Sequence, residues 1–326
     1  MSHNPSILHA HQIDNTGQGI ALTDEAITKC VQAADTLAWV HLDVNAPESR
    51  EWLEQEVSYL DPIILDALLA EETRPRILEF QQGILLILRG INLNQNAQPE
   101  DMVSIRMWID QSNIITLQRR HLKPITDICE RLLAGRGPKT PGEFITTLSA
   151  RLFERMEPIF SELDDRLDLT EEQVMESPDA EHRSDITSIR KEAIMYRRYI
   201  APQRDVMAHL RISEQAWLSQ IDKRRLQESL DHVIRYLEDL DAIRERAQII
   251  KDELTNALSD KMNKNMYMLS VIAAIFLPLG FLTGLLGINV GGIPGSENGN
   301  AFYLFCMILA GIITLQILFF KKLKWF

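Results

Sequence analysis

The chain has 326 residues, 45% of them apolar and 25% charged, with a net charge of −12. That length holds one large domain or two ordinary ones, and the apolar share excludes a wholly disordered chain. The acidic balance argues against a nucleic-acid partner, because phosphate binding needs clustered Lys and Arg, and it is compatible with cations. Cys30, Cys129 and Cys306 lie far apart with no CxxC spacing, so no disulfide framework is expected, which suits a reducing cytosol.

Residues 1–15 are polar with no apolar run, and they read as a mobile tail rather than a cleaved signal peptide. His3, His9 and His11 have no fixed spacing on a regular element there, which disfavours a zinc site. Residues 37–44 are strand-like, and His41 and Asp43 alternate with apolar neighbours as one face of a sheet rather than a catalytic pair. Residues 49–60 and 62–70 have helical spacing. Gln81-Gln82-Gly83 reads as a hairpin turn between strands at 78–80 and 84–88. Val103, Ile105, Met107 and Ile109 alternate with Ser104, Arg106, Trp108 and Asp110, which predicts a half-buried strand. A turn at 110–113 returns the chain through a strand at 114–117.

Gly135-Arg136-Gly137-Pro138, with Pro141, marks a boundary. Beyond it the spacing predicts an antiparallel helix pair over 144–169 and 184–210, with Pro178 in the connection and Pro202 kinking the second helix. Acid clusters at 162–165 and 171–172 read as solvated helix faces, and His209 and His232 as solvated or interfacial residues. Leu226, Leu230, Val233, Leu237 and Leu240 step by fours and threes; Ala247, Ile250, Leu254 and Leu258 continue the seam after a gap at Arg244. One helix over 219–286 is the favoured reading, and two helices broken near Asn256 the other.

Residues 267–286 and 302–320 carry no charge, and each stretch is long enough to cross a hydrocarbon core of about 30 Å. A pair of buried core helices is the bland alternative. Lys261 and Lys264 precede the first stretch, Lys321, Lys322 and Lys324 follow the second, and the loop between has neither Lys nor Arg. By the positive-inside rule both termini are cytoplasmic. The predicted layout is therefore a cytoplasmic α+β domain over 1–138, with a mixed sheet and flanking helices, and a helical hairpin over 139–218. A stalk helix over 219–286 continues into the first span. An outer loop over 287–301, a second span over 302–320 and a basic tail over 321–326 complete an all-α membrane part.

Asn263, Met266, Ser270, Ala273, Leu277, Gly280, Gly284 and Gly287 fall on one face of the first span. Small residues there either line a water-filled path shared by several copies or pack helices closely, Gly280 and Gly284 being a GxxxG match. Asn263 and Ser270 offer oxygen ligands, and no charged group lies within the span, so a passing cation keeps its water or uses neutral oxygens. No GxGxxG, P-loop or GxSxG motif is present, and no enzyme is expected.

Gly287-Ile288-Asn289, directly after the first span, resembles the Gly-Met-Asn signature of the CorA family of divalent cation transporters, with Ile288 in place of Met. Glu72-Thr73-Arg74-Pro75-Arg76, the stretch from Arg197 to Val206, the stretch from Phe281 to Gly295, and Lys324-Trp325 look like the family's zinc-transport branch, ZntB. The resemblance implies a homopentameric funnel in the bacterial inner membrane, with five long helices lining the pore and Asn289 meeting hydrated cations at the outer mouth. It implies transport of Zn²⁺ or another divalent cation, coupled to protons in the uptake direction. A magnesium, cobalt or nickel channel and zinc efflux are the alternatives, and a membrane-anchored signalling or structural protein is the remote one. The expected partners are four further copies, divalent cations, protons and membrane lipid, with no cofactor beyond the ion carried. Ile288, and a loop with only Glu297 to concentrate cations, tilt the expectation away from magnesium.

Overall fold

The computed structural model describes residues 4–33, 35–71, 73–287, 295 and 298–322. They fall in two compact units, Met1–Asp252 and Glu253–Phe326. In chain order the elements are β1 (Ile7–Ile13), β2 (Gly19–Ala21), α1 (Asp24–Gln32), β3 (Leu37–Asp43), α2 (Glu48–Glu56), α3 (Pro62–Leu69), β4 (Arg76–Glu79), β5 (Gly83–Gly90), β6 (Val103–Asp110) and β7 (Asn113–Gln118). Helices follow: α4 (Lys123–Leu133), α5 (Pro141–Glu154), α6 (Glu157–Glu176), α7 (His182–Ile212), α8 (Gln220–Gly287) and α9 (Ala301–Lys322). The strands form one sheet in the order β2-β1-β3-β7-β6-β5-β4. Every pairing is antiparallel except β3 with β7. This is the mixed sheet with flanking helices, long helix and C-terminal apolar helix expected from the sequence.

The expected mobile tail is instead strand β1, which pairs with β3 so that His9 lies opposite His41 and His11 opposite Trp39. Ile7, Ala10 and Ile13 go to the core, and the histidines between them mislead because imidazole faces can pack like aromatic ones. The His11 ring stacks on Trp39 at 5.7 Å and the His9 ring on His41 at 6.0 Å. Trp39 is wholly buried, donates from Nε1 to Thr116 Oγ1 at 2.9 Å, and meets the Phe144 ring edge-on at 5.2 Å. His41, also wholly buried, shares a 2.8 Å hydrogen bond between Nδ1 and Thr116 Oγ1.

Burial pushes the His41 imidazole down to about 3 from its ordinary 6.5, and burial lowers His9 and His11 too. Between those pH values the unfolded chain binds a proton that the folded chain excludes, so stability is full above pH 6.5 and falls as the pH drops. The slope from His41 is about 1.4 kcal/mol per pH unit. Thermal melts of the detergent-solubilised protein between pH 7 and 4.5 should show this loss, and His41→Gln should flatten it; an unchanged pH profile in the variant would remove His41 as the cause.

β6 was expected to be half-buried, yet all eight of its residues are buried. It lies inside the sheet between β5 and β7, with both faces covered, so its polar residues take internal partners. Arg106, 1% exposed, donates from Nη2 to Ala70 O at 2.8 Å. Asp110 organises the turn into β7. Its Oδ1 accepts from the backbone N–H groups of Ser112 at 2.9 Å and Asn113 at 2.7 Å, and its Oδ2 from Tyr59 Oη at 2.7 Å and Trp108 Nε1 at 3.0 Å. The hairpin at Gln81-Gln82-Gly83 forms as expected and joins β4 to β5.

The single helix expected over 144–169 is two. α5 ends at Glu154, and Pro158 sits in the first turn of α6, where its missing N–H costs nothing. Phe160 meets Tyr196 at 5.1 Å, and Arg166 grips Glu192 through paired bonds of 2.8 and 2.9 Å, so α6 and α7 run antiparallel. α7 continues through Pro202 to Ile212.

α8 is one helix of 68 residues, with no break near Asn256. The seam from Leu226 to Leu254 is buried, and Ile243, 2% exposed, fills the place where a gap was expected. Arg244 turns outward to Asp241 at 3.1 Å. Tyr236 packs its ring on Phe160 at 5.3 Å and donates from Oη to Phe153 O at 3.2 Å. Arg246 draws in Asp164 at 3.1 Å, Asp168 at 2.5 Å and Glu171 at 2.6 Å, so part of the expected solvated acidic face is an ion-pair network holding α8 to α6.

Candidate ion path

The second unit contains the end of α8 and all of α9. Both helices are long and apolar enough to cross a membrane, and 6% and 0% of their most apolar windows are buried. A core helix is mostly buried, so the bland alternative fails on that figure. Lys321 and Lys322 lie in the last turn of α9, where cations favour the negative end of the helix dipole and an interface.

Asn263, Met266, Ser270, Ala273, Leu277, Gly280, Gly284 and Gly287 are all exposed, as are Leu269, Ile272, Phe276, Phe281 and Leu285 elsewhere on the helix, so small size rather than exposure distinguishes this face. The less exposed positions of this stretch are Val271, Ala274, Ile275, Leu279 and Leu282, roughly a third of a turn away. α9 packs on that second face, and Gln316 Nε2 donates to Ala274 O at 3.4 Å. A Cβ added at Gly280, Gly284 or Gly287 meets nothing within 4 Å. Glycine is therefore not required there by contacts within this chain, and close packing of α8 on its own α9 does not explain Gly280 and Gly284.

Ser270 Oγ donates to Met266 O at 2.8 Å. With its proton turned back onto the helix, the oxygen keeps its lone pairs free for a cation's water shell. Gly287 closes α8, while Ile288, Asn289 and Glu297 lie outside the described residues.

Candidate metal ligands elsewhere do not converge. Among the described residues no group of three or more His, Cys, Asp or Glu side chains is placed to hold an ion. His209 Nε2 lies 3.6 Å from Glu79 Oε1, and the His232 ring lies 6.1 Å from that of Tyr236. Sequence reasoning missed Gln316, the one carboxamide in α9, although an amide in an apolar span was a visible signal.

An acidic body built on a mixed sheet, a helix passing from it into an apolar span, and a second apolar helix define an integral membrane protein with no enzyme-like constellation among the described residues. The family of CorA-like Mg²⁺ transporter proteins matches residues 34–322, and the chain belongs to that family. It is thus a divalent-cation transporter and not an enzyme. The divalent cation transporter CmaX of Pseudomonas aeruginosa is 36% identical over 324 residues, covering 98% of this chain and 96% of that one. The zinc transport protein ZntB of Yersinia pseudotuberculosis is 34% identical over 318 residues, covering 98% and 95%. The solved structure of the full-length CmaX protein is similar over 100% of this chain and 99% of that one, with a TM-score of 0.86 and 35% identity.

Proposed function

We propose that this protein carries Zn²⁺ across the bacterial inner membrane, in the uptake direction and coupled to protons, through the central pore of a homopentamer. Both termini lie in the cytoplasm. Asn263, Met266, Ser270, Ala273, Leu277, Gly280 and Gly284 line the path, and Gly287, Ile288 and Asn289 form its outer mouth, with Glu297 nearby. The observation that carries the pore reading is the uncovered small-residue face of α8, where added side-chain atoms find open space. One hairpin cannot enclose a pore, so several copies must contribute that face. The similarity to ZntB along nearly the whole chain supports zinc.

Neutral oxygens suit this task. Tight zinc sites use Cys and His, and neither occurs in the first span or the loop after it. Weak contacts with a hydrated ion let it leave as well as enter. The test is ⁶⁵Zn²⁺ uptake into proteoliposomes of the purified protein, with and without an imposed pH gradient. Uptake that rises with the gradient supports coupled import, and indifference to it makes the protein a passive channel. Absence of any divalent-cation flux returns the membrane-anchored signalling or structural reading. Asn289→Ala should lower flux with the oligomer intact by light scattering; wild-type flux in that variant removes Asn289 from the mouth.

A second reading, a channel for magnesium-like ions, is favoured by the family description and by the similarity to CmaX, a divalent cation transporter with no stated preference for zinc. Competition of ⁶⁵Zn²⁺ uptake by Mg²⁺, Co²⁺ and Ni²⁺ separates the two.

A further inference from the structure

We propose that Gln316 is a positioning residue of the ion path: its side-chain amide caps the backbone carbonyl that Pro278 leaves without a helix partner, and so holds α8 against α9 beside the stripe. This rests on the reading that α8 lines the path. An α-helical carbonyl accepts from the N–H four residues on, and proline has none. Pro278 lies inside α8, so the deprived carbonyl is that of Ala274. In hydrocarbon no water replaces the missing donor, and neighbouring helices must supply one. Gln316 Nε2 does so from α9, at 3.4 Å.

The Ser and Thr hydroxyls in these spans are explained locally. Ser270, Thr283 and Thr314 donate to Met266 O, Leu279 O and Ala310 O, each in its own helix. Gln316 differs because its bond crosses between helices and lands on the one carbonyl that the proline exposes. Since Ala274 O can only accept, the NH₂ end of the amide must face it, and Gln316 Oε1 is left buried without a partner. A polar group is kept in the span at that cost, which a purely apolar α9 would avoid. Ala273 and Leu277 of the stripe adjoin Ala274 and Pro278 in sequence, so the helix geometry set at the cap is the geometry of the path wall.

The test is a double-mutant cycle on the full chain: wild type, Gln316→Leu, Pro278→Ala and both together. In Pro278→Ala the new N–H takes the Ala274 carbonyl, and the cap has nothing left to do. Gln316→Leu in the wild-type background should lower divalent-cation flux by roughly 3- to 20-fold, the range that membrane-embedded side-chain hydrogen bonds sustain. It should also lower the melting temperature of the protein in detergent. In the Pro278→Ala background the same substitution should change neither. Equal losses in both backgrounds, or no loss in the wild-type one, would overturn the proposal. A melting temperature that follows the cycle while flux does not would make Gln316 structural only and defeat the positioning role. If wild type itself carries no ion, the pore reading and the positioning role fall together, and the melting cycle alone still decides whether the cap exists.

Discussion

Gly284→Leu is expected to cut divalent-cation flux in proteoliposomes by roughly tenfold or more, because a barrier raised by only about 1.4 kcal/mol already has that effect. Within its own chain the substitution is harmless. The Cβ position is open, and leucine is a better helix former than glycine by about 1 kcal/mol in a helix interior. Any loss of function must therefore arise where copies of α8 face one another and apolar side chains narrow a wet path. Gly311→Leu on α9, where an added Cβ is equally unopposed, is the control and should transport close to the wild-type rate. Flux measured per oligomer separates blockage from failed assembly. Wild-type flux in Gly284→Leu would remove this face from the path.

Asp110→Ala is expected to destabilise the Met1–Asp252 unit by about 4 kcal/mol, since each buried donor left unmet costs about 1–3 kcal/mol. The carboxylate accepts five hydrogen bonds, the longest from Ser112 Oγ at 3.4 Å, and two come from residues that cannot turn to water: Trp108 is 1% exposed and Asn113 is 4% exposed. Burial, and the Asp110 charge beside it, hold the Tyr59 hydroxyl above its ordinary range, so it stays protonated and donating. Asp110→Asn keeps Oδ1 for the turn but sets an NH₂ against the Trp108 N–H, and it should cost about half as much. Thermal unfolding of the two variants measures the difference, and a loss below about 1 kcal/mol in the alanine variant would dissociate the turn from the stability of the sheet.

Local patterns were readable wherever one residue's environment follows from its neighbours. The uncharged spans, the leucine seam of α8 and the turns at Gln82 and Ser112 all emerge from periodicity and composition. Contacts between distant residues were not readable. β1 buries Ile7, Ala10 and Ile13 at steps of three across a register irregularity, so it lacks a strand's period of two, and its pairing with β3, where its histidines stack on Trp39 and His41, is what reveals the strand. The polar half of β6 is buried because partners such as Ala70 and Tyr59 lie more than 30 residues away. Pro158 reads equally well as a residue inside a long helix or as the start of the next one. For the ion path, the stripe was legible as spacing, yet its uncovered state needed α9 in place. The link from Gln316 to Ala274 spans 42 residues and has no sequence period at all.

The single parallel pairing, β3 with β7, sets a timetable for synthesis. Antiparallel neighbours such as β5 and β6 can close soon after they emerge, but β3 ends at Asp43 and β7 begins at Asn113. At about 5–20 residues per second, the ribosome needs roughly 4–14 s to deliver the partner. Throughout that interval β3 offers an apolar strand edge with unpaired backbone groups, the kind of surface that recruits other chains. The central pairing of the sheet therefore closes only after β7 has been made, and β3 waits with one edge open until then.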